Sequence, residues 1–406
     1  MGLDPFWVRV SGPLELYARG FARELVGQGY VRASVRYQVQ LVAHLSGWLA
    51  SEGLDAAALD VAVVERFMAE RRATGHGNFL SPKALVPLLE YLRGLGVIAP
   101  LAPVVAVSAV DVLLERFRDY LLAERGLAVG TVVGYLAKVR PFVAGRVSAD
   151  GRLDLEGLTA ADVSAFVLAV CPLHSVSTAK LTVTALRSLL VFLHVEGVLE
   201  WSLAGAAPAA AGWRLAGLPR GLESGQVRRL LTGCDRRTAA GRRDFAILLL
   251  LARMGLRRGE VAALRLEDLD WRAGEIVVRG KGDRRERLPL PADVGGALAG
   301  YLRRGRPHTT PDRGVFIRVI APQRALTAGG VTAVVIAAGR RAGLGDITAH
   351  RLRHTAATEM LRAGATLPEI GQVLRHRRLL TTAIYAKVDR EALRGLARPW
   401  PTGSRS

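Results

Sequence analysis

The sequence predicts a mainly α-helical chain that ends in an α+β domain with a small antiparallel sheet. Three observations carry that prediction. Apolar residues recur at three- and four-residue spacing through most of the 406 positions. Two stretches break the rhythm and read as linkers, the Pro-rich 100–110 and 201–221, whose Ala, Gly and Pro content lacks periodicity. One segment, GEIVVRGKGDRRERLPLP at 274–291, has a β-branched run, a Gly-Lys-Gly-Asp turn and a second polar and apolar arm, the pattern of a hairpin. The breaks divide the chain into helical parts at 1–105 and 106–205 and the α+β part at 218–406. With 50% apolar residues, each part can bury a core.

The two helical parts are laid out alike. Each opens on an amphipathic helix pattern, LELYARGFARELVGQGY or LLERFRDYLLAERGL. A second follows, SVRYQVQLVAHLSGWLASEG or TVVGYLAKVRPFVAGR, then LDVAVVERFMAERR or LTAADVSAFVLAV, and each part closes on YLRGLGVI or FLHVEGVL. The offset stays at roughly 100 residues, a domain-sized period. A duplicated helical module would give this layout, as would any two amphipathic four-helix blocks.

The formal charge is +20, and its placement says more than its size. Residues 1–100 hold 10 basic and 9 acidic side chains and residues 101–217 hold 10 of each, so residues 218–406, with 36 and 17, carry nearly all the excess. So lopsided a charge fits a polyanionic partner, nucleic acid ahead of an anionic membrane surface. The longest nearly apolar run, VIAPLAPVVAVSAV at 97–110, is too short for a membrane span and is broken by Pro100 and Pro103. The opening MGLDPFWVRVSGPLELYARG lacks the order of a signal peptide, so a cytoplasmic protein is expected. Cys171 and Cys234 stand in different regions without companion ligands, which leaves two ordinary buried thiols rather than a disulfide framework or a metal site.

Four segments of the basic part carry candidate chemistry. In GLRRGEVAALRLEDLDW, 255–271, Gly255 should end one helix and Glu260 begin another, leaving Arg257 at the corner. The hairpin carries Lys281 at its tip. In AHRLRHTAATEML, 349–361, Thr348 suits an N-cap, and His350, Arg353 and His354 fall at i, i+3 and i+4 on one helical stripe. Three potential cations on one face call for an anion opposite them. In VLRHRRLLTTAIYAKVD, 373–389, His376 and Tyr385 stand out.

Each segment alone has an ordinary reading. With 51 arginines, one His-x-x-Arg among the 8 histidines is expected by chance. Arg257 could cap a helix, and its segment could be a helix-turn-helix. His376 could offset a helix dipole and Tyr385 could be a packed aromatic. Lys281 is harder to dismiss, since only five lysines accompany those arginines. Arginine would serve for charge alone, whereas lysine can release a proton near neutrality.

In combination and in this order, the segments resemble the tyrosine recombinase (phage integrase) family. The match is Gly-Leu-Arg-x-Gly-Glu, a hairpin lysine, His-x-x-Arg-His-Thr, and a Leu-x-His followed nine residues on by Tyr. The likeness covers 218–395 well and 110–205 more loosely, the latter resembling the family's SAM-like core-binding domain. Residues 1–100 go beyond the lean two-domain members. Two features depart from the pattern: Arg375 stands where Gly usually precedes the histidine, and 101–217 is near neutral rather than basic.

The resemblance implies a catalytic set of Arg257, Lys281, His350, Arg353, His376 and Tyr385. The two arginines would clamp the non-bridging oxygens of a scissile phosphodiester in double-stranded DNA. Tyr385 would attack phosphorus and form a 3′-phosphotyrosine, while His350 takes its proton or hydrogen-bonds the phosphate. Lys281 would protonate the leaving 5′ oxygen and His376 would donate to a phosphate oxygen. Glu260 would anchor Arg257, and His354 would pack beneath the site. No metal, other cofactor or ATP is expected, since two arginines do the electrostatic work and the phosphotyrosine conserves the bond energy. The family acts as a homotetramer on two DNA sites, exchanging strands through a Holliday junction, and DREALRGLARPW at 389–400 would dock on a neighbouring protomer. The alternatives are a type IB topoisomerase, which makes the same adduct but only relaxes supercoils, and a non-cleaving DNA-binding regulator on the same fold. The intact set argues against the regulator.

Overall fold

The computed structural model describes residues 8–100, 108–148, 150–209, 221–280, 285–308 and 310–375. The chain divides into two compact units, one made of 1–100 with 217–406 and the other of 101–216.

The first helical block has four helices: α1 (Glu15–Gly27), α2 (Arg32–Ser51), α3 (Val61–Ala73) and α4 (Val86–Gly94). α1 buries Ala18, Phe21, Ala22 and Leu25, the i, i+3, i+4, i+7 stripe that turns one face to a core. Asp60 starts α3 by accepting from the Val63 amide at 2.8 Å. Within its unit, this block meets residues 221–375 through the Gln323 amide, which donates to the Gln28 carbonyl at 2.8 Å, and an Arg324–Glu90 ion pair at 3.4 Å.

The second block repeats that order with α5 (Ala109–Ala123), α6 (Val129–Ala144), α7 (Ala160–Val170) and α8 (Val176–Val195). Ser108 caps α5, and Thr159 forms a capping box with Asp162 at the start of α7. α8 is long and apolar enough to cross a membrane, but Val183, Leu186, Leu190 and Leu193 are buried in the block's core, which makes it a core helix. The stretch expected to be a linker from 201 begins inside this block. Leu203–Ala206 forms a 3-10 turn, held because Ser164 Oγ donates to the Ala206 carbonyl at 3.0 Å and the Arg187 guanidinium to the Ala207 carbonyl at 2.7 Å. Cys171 is half-buried rather than fully covered, since it opens a 3-10 turn at the end of α7, whereas Cys234 is buried; both are free thiols.

The remaining elements are α9 (Ser224–Thr232), α10 (Ala239–Arg253), α11 (Arg258–Ala263), β1 (Leu269–Asp270), β2 (Glu275–Arg279), β3 (Arg285–Pro289), α12 (Ala292–Arg304), α13 (Ala328–Arg341), α14 (Ala349–Arg362) and α15 (Leu367–Val373). Ala246 to Ala252 are buried on every side of α10, which marks it as the central helix. α12, α13 and α14 pack around it. The expected hairpin is present, with β2 and β3 antiparallel and Val277 opposite Arg287. β1 adds a third strand, pairing Leu269 with Ile276. Ile276 and Val278 point inward and seat the sheet on the core. The hairpin tip, 281–284, lies outside the described residues.

Candidate active site

The site starts at the corner between α10 and α11. Gly255 has φ +61°, a conformation glycine adopts freely, and a Cβ there would lie 2.5 Å from Leu374 Cδ2. Glycine is therefore favoured twice over, by the backbone and by the space. Arg257 follows as the N-cap of α11, its amide donating to Glu260 Oε2 at 2.8 Å and its Nη1 to Oε1 at 2.6 Å. The Arg257 side chain is 45% exposed and that of Glu260 only 4%, so the carboxylate grips the guanidinium from below and leaves it open to solvent. Burial pushes the Glu260 carboxyl up. The Arg257 amide, then the charge of Arg375, then the Arg257 side chain outweigh it and hold the group below its ordinary value.

The second support is α14, whose N-cap Thr348 accepts from the Arg351 amide at 3.2 Å, as its residue type predicts. Thr355 pins the beginning of the domain, because its hydroxyl accepts from the Leu222 amide at 2.8 Å. Arg353 is buried, with Nη1 donating to the Gly255 carbonyl and Nη2 to the Leu374 carbonyl. Arg257 Nη2 donates to the next carbonyl along, that of Arg375, at 3.2 Å. Consecutive peptide oxygens just before His376 thus each take a bond from one arginine.

His350 and His354 meet edge to face, their ring centroids 4.3 Å apart. His350 keeps one side open to solvent. The hydration it loses on the other side, then the charges of Arg353 and Arg257, hold it below the ordinary imidazole value. His354 is pushed down to about 4, first by burial, then by His350 and Arg353. The crowding of cations expected on this stripe is therefore relieved at neutral pH, where both imidazoles are uncharged and Arg353 turns into the core to meet carbonyls.

The structure brings together Arg257, Glu260, His350, Arg353 and His354. Lys281, His376 and Tyr385, and the helix expected at 389–400, lie outside the described residues. A further member had not been assigned a part: Arg375, at φ +54°, whose Nη2 reaches Glu260 Oε2 at 2.6 Å. Its signal in the sequence is an arginine in a place where a left-handed turn favours glycine.

Residues 220–392 match the phage integrase family, and residues 114–197 match the phage integrase N-terminal SAM-like domain. The Sinorhizobium fredii protein y4rA, whose name carries the description integrase/recombinase, is 42% identical over 395 residues, 96% of this chain and 95% of that one. The tyrosine recombinase XerD of Listeria monocytogenes is 31% identical over 288 residues, 70% of this chain and 96% of the relative. The chain belongs to the tyrosine recombinase family. Solved structures share its fold: XerH site-specific recombinase in a post-cleavage complex with palindromic difH substrate has a TM-score of 0.56 at 19% identity, covering 82% of this chain and 93% of that one. A lambda integrase tetramer bound to a Holliday junction has a TM-score of 0.53 at 18% identity, covering 82% and 94%. In this tyrosine recombinase, residues 8–100 lie ahead of both family matches.

Proposed function

We propose that this recombinase cuts and rejoins double-stranded DNA at specific sites through a 3′-phosphotyrosine, without metal or ATP. The observation that carries the reading is the convergence of Arg257 and Arg353, far apart in sequence, on the adjacent carbonyls of Arg375 and Leu374 beside His350. The domains are then 1–105 as an additional helical module, 106–205 as the core-binding domain and 218–406 as the catalytic domain.

Arg257, gripped from below and open above, binds a non-bridging oxygen of the scissile phosphate, and Arg353 adds its charge from beneath. The Tyr385 oxygen forms a bond to phosphorus as the bond to the 5′ oxygen breaks. The tyrosine proton goes to His350, which is kept neutral and so able to accept it, and Lys281 gives a proton to the departing 5′ oxygen, which leaves as a hydroxyl. His376 donates to a phosphate oxygen. One phosphoester replaces another, so the reverse attack by a 5′ hydroxyl needs no added energy. Exchange between duplexes requires a tetramer on two sites, as in the lambda integrase complex above, and the segment at 389–400 supplies the contact to the neighbour. The charge excess in 218–406 makes the catalytic domain the main phosphate contact, so binding weakens steeply with salt.

The test takes the duplex that the protein enriches from a random-sequence pool, nicks it to trap the intermediate, and maps the attached residue. The expected result is an adduct on Tyr385 that forms in EDTA and is absent in Tyr385→Phe. Binding without an adduct would favour a regulator, relaxation without recombinants a topoisomerase, and loss in EDTA restored by Mg²⁺ would overturn the metal-free site.

A further inference from the structure

Two non-glycine residues have positive φ among the described residues, Phe79 and Arg375, and the second directly precedes His376 in the chain. On stability alone arginine is a poor choice there. The left-handed backbone strains any side chain with a Cβ, burial of a guanidinium costs hydration, and its Nε has no partner. Glycine would carry none of these penalties.

What the arginine provides is a set of contacts aimed at one neighbour. Its side chain is 5% exposed and donates from Nη2 to Glu260 Oε2 at 2.6 Å. Glu260 holds Arg257 with its other oxygen, and the carbonyl of Arg375 takes Arg257 Nη2 at 3.2 Å. Nη1 of Arg375 closes on the Val373 carbonyl at 3.1 Å and fixes the turn itself. Arg257 is thus fastened on two sides, by a carboxylate whose ionised form Arg375 helps to hold and by a peptide oxygen that Arg375 supplies.

We propose that Arg375 is a positioning residue of the active site, setting the guanidinium of Arg257 through Glu260 and through its own backbone, and fixing the turn that leads into His376. The inference rests on the reading of this site as one that cleaves DNA. It assigns Arg375 no contact with the substrate. Its effect should therefore appear in the rate of cleavage and in the ionisation of Glu260 rather than in the affinity for DNA.

The experiment measures single-turnover cleavage of the enriched, nicked duplex from acidic to neutral pH, with the dissociation constant and melting temperature, for wild type, Arg375→Gly and Arg375→Lys. Arg375→Gly is expected to fold and bind DNA like wild type yet cleave up to about 100-fold more slowly, the scale on which a misplaced catalytic group acts. Its acid limb should move to higher pH, because a buried Glu260 that has lost one cation takes up a proton more readily. Arg375→Lys should recover part of the rate and move the limb back. Adding Glu260→Gln to Arg375→Gly should remove that shift and leave the limb set by His350. Wild-type rate and pH profile in Arg375→Gly, or a rate loss no larger than the loss of folded protein, would overturn the proposal. Absence of any adduct in wild type would instead bring down the cleavage reading and this inference with it.

Discussion

The helical block at 108–209 and the part at 221–375 are close-packed in different currencies. Among the described residues, the block buries a single polar side chain, Thr182, whose hydroxyl donates to the Thr178 carbonyl one turn back. The other region buries Arg243, Asp244, Glu260, Asp268, Arg353, Thr355 and Thr358. Burying a charge costs several kcal/mol unless partners replace the lost water. Each of these charges has such partners: Arg243 with Asp244 at 2.8 Å, Asp268 with Arg279 at 2.8 Å, Glu260 with two arginines, and Arg353 with two carbonyls. Apolar packing is tight but has no preferred direction. A network of ion pairs and directed hydrogen bonds fixes position and angle together, which is what the strand cleavage proposed above would need.

The largest expected effect separates the two regions directly. Arg353→Ala removes a cation and both of its carbonyl contacts, and cleavage of the enriched duplex should fall by at least about 10²–10³-fold in protein that remains folded. Leu190→Ala, in the core of α8, should cost about 2–5 kcal/mol in urea melts yet leave cleavage per folded molecule unchanged at saturating protein. Comparable loss of chemistry in both variants would mean that the block does more than hold its shape.

The same contrast explains how much could be read from the sequence. Apolar spacing gives the helices, because burial of one face shows as a period: Leu113, Leu114, Phe117 and Leu121 mark α5 without any structure, whereas Ser108 to Val110, expected in a linker, form its cap and first turn. The cap at Thr348 follows from residue type, and the hairpin from its turn. β1 escapes notice because two residues are too few for an alternation to register. The turn at 203–206 escapes because its anchors are backbone carbonyls, which every residue carries. At the site, Arg257, Glu260, His350, Arg353 and His354 could be gathered by motif, but the burial of Arg353 and the Arg375–Glu260 pair could not. Both depend on a backbone turn that crosses from the end of α15 to the corner after α10, and no periodicity encodes that.

Acid should separate the regions again, with a smaller effect. His354 titrates at about 4 in the folded chain against an ordinary 6.5, so between those values the unfolded state binds more protons. Stability of residues 221–375 is then complete above about 6.5 and declines as pH falls toward 4; His350, lowered in the same direction, adds to the loss. In the block, Asp162 is held below its ordinary 3.8 by Arg146 first and by Thr159, so its contribution is lost only as pH falls below that value. Amide exchange resolved by residue should show residues 221–375 loosening before the block on acidification. His354→Gln should flatten the decline between 6.5 and 4, and an unchanged slope would detach it from this imidazole.

The smallest effect is expected where the geometry looks best. Arg340 grips Asp346 with two bonds, Nε to Oδ1 at 2.6 Å and Nη2 to Oδ2 at 3.0 Å, a fork as good as any in the site. Its partners are 67% and 59% exposed, whereas those of Arg243–Asp244 are each 10% exposed. Water competes for every bond the outer pair makes and salt screens what remains, while the inner pair has neither alternative. Asp244→Asn should therefore lower the melting temperature clearly, by breaking a buried pair whose loss typically costs about 3–5 kcal/mol. Asp346→Asn should leave it unchanged within error at any salt concentration. If the two substitutions were equally costly, fork geometry rather than exclusion of water would govern these ion pairs, and the buried network around Glu260 would lose its claim to hold the site more firmly than the surface holds itself.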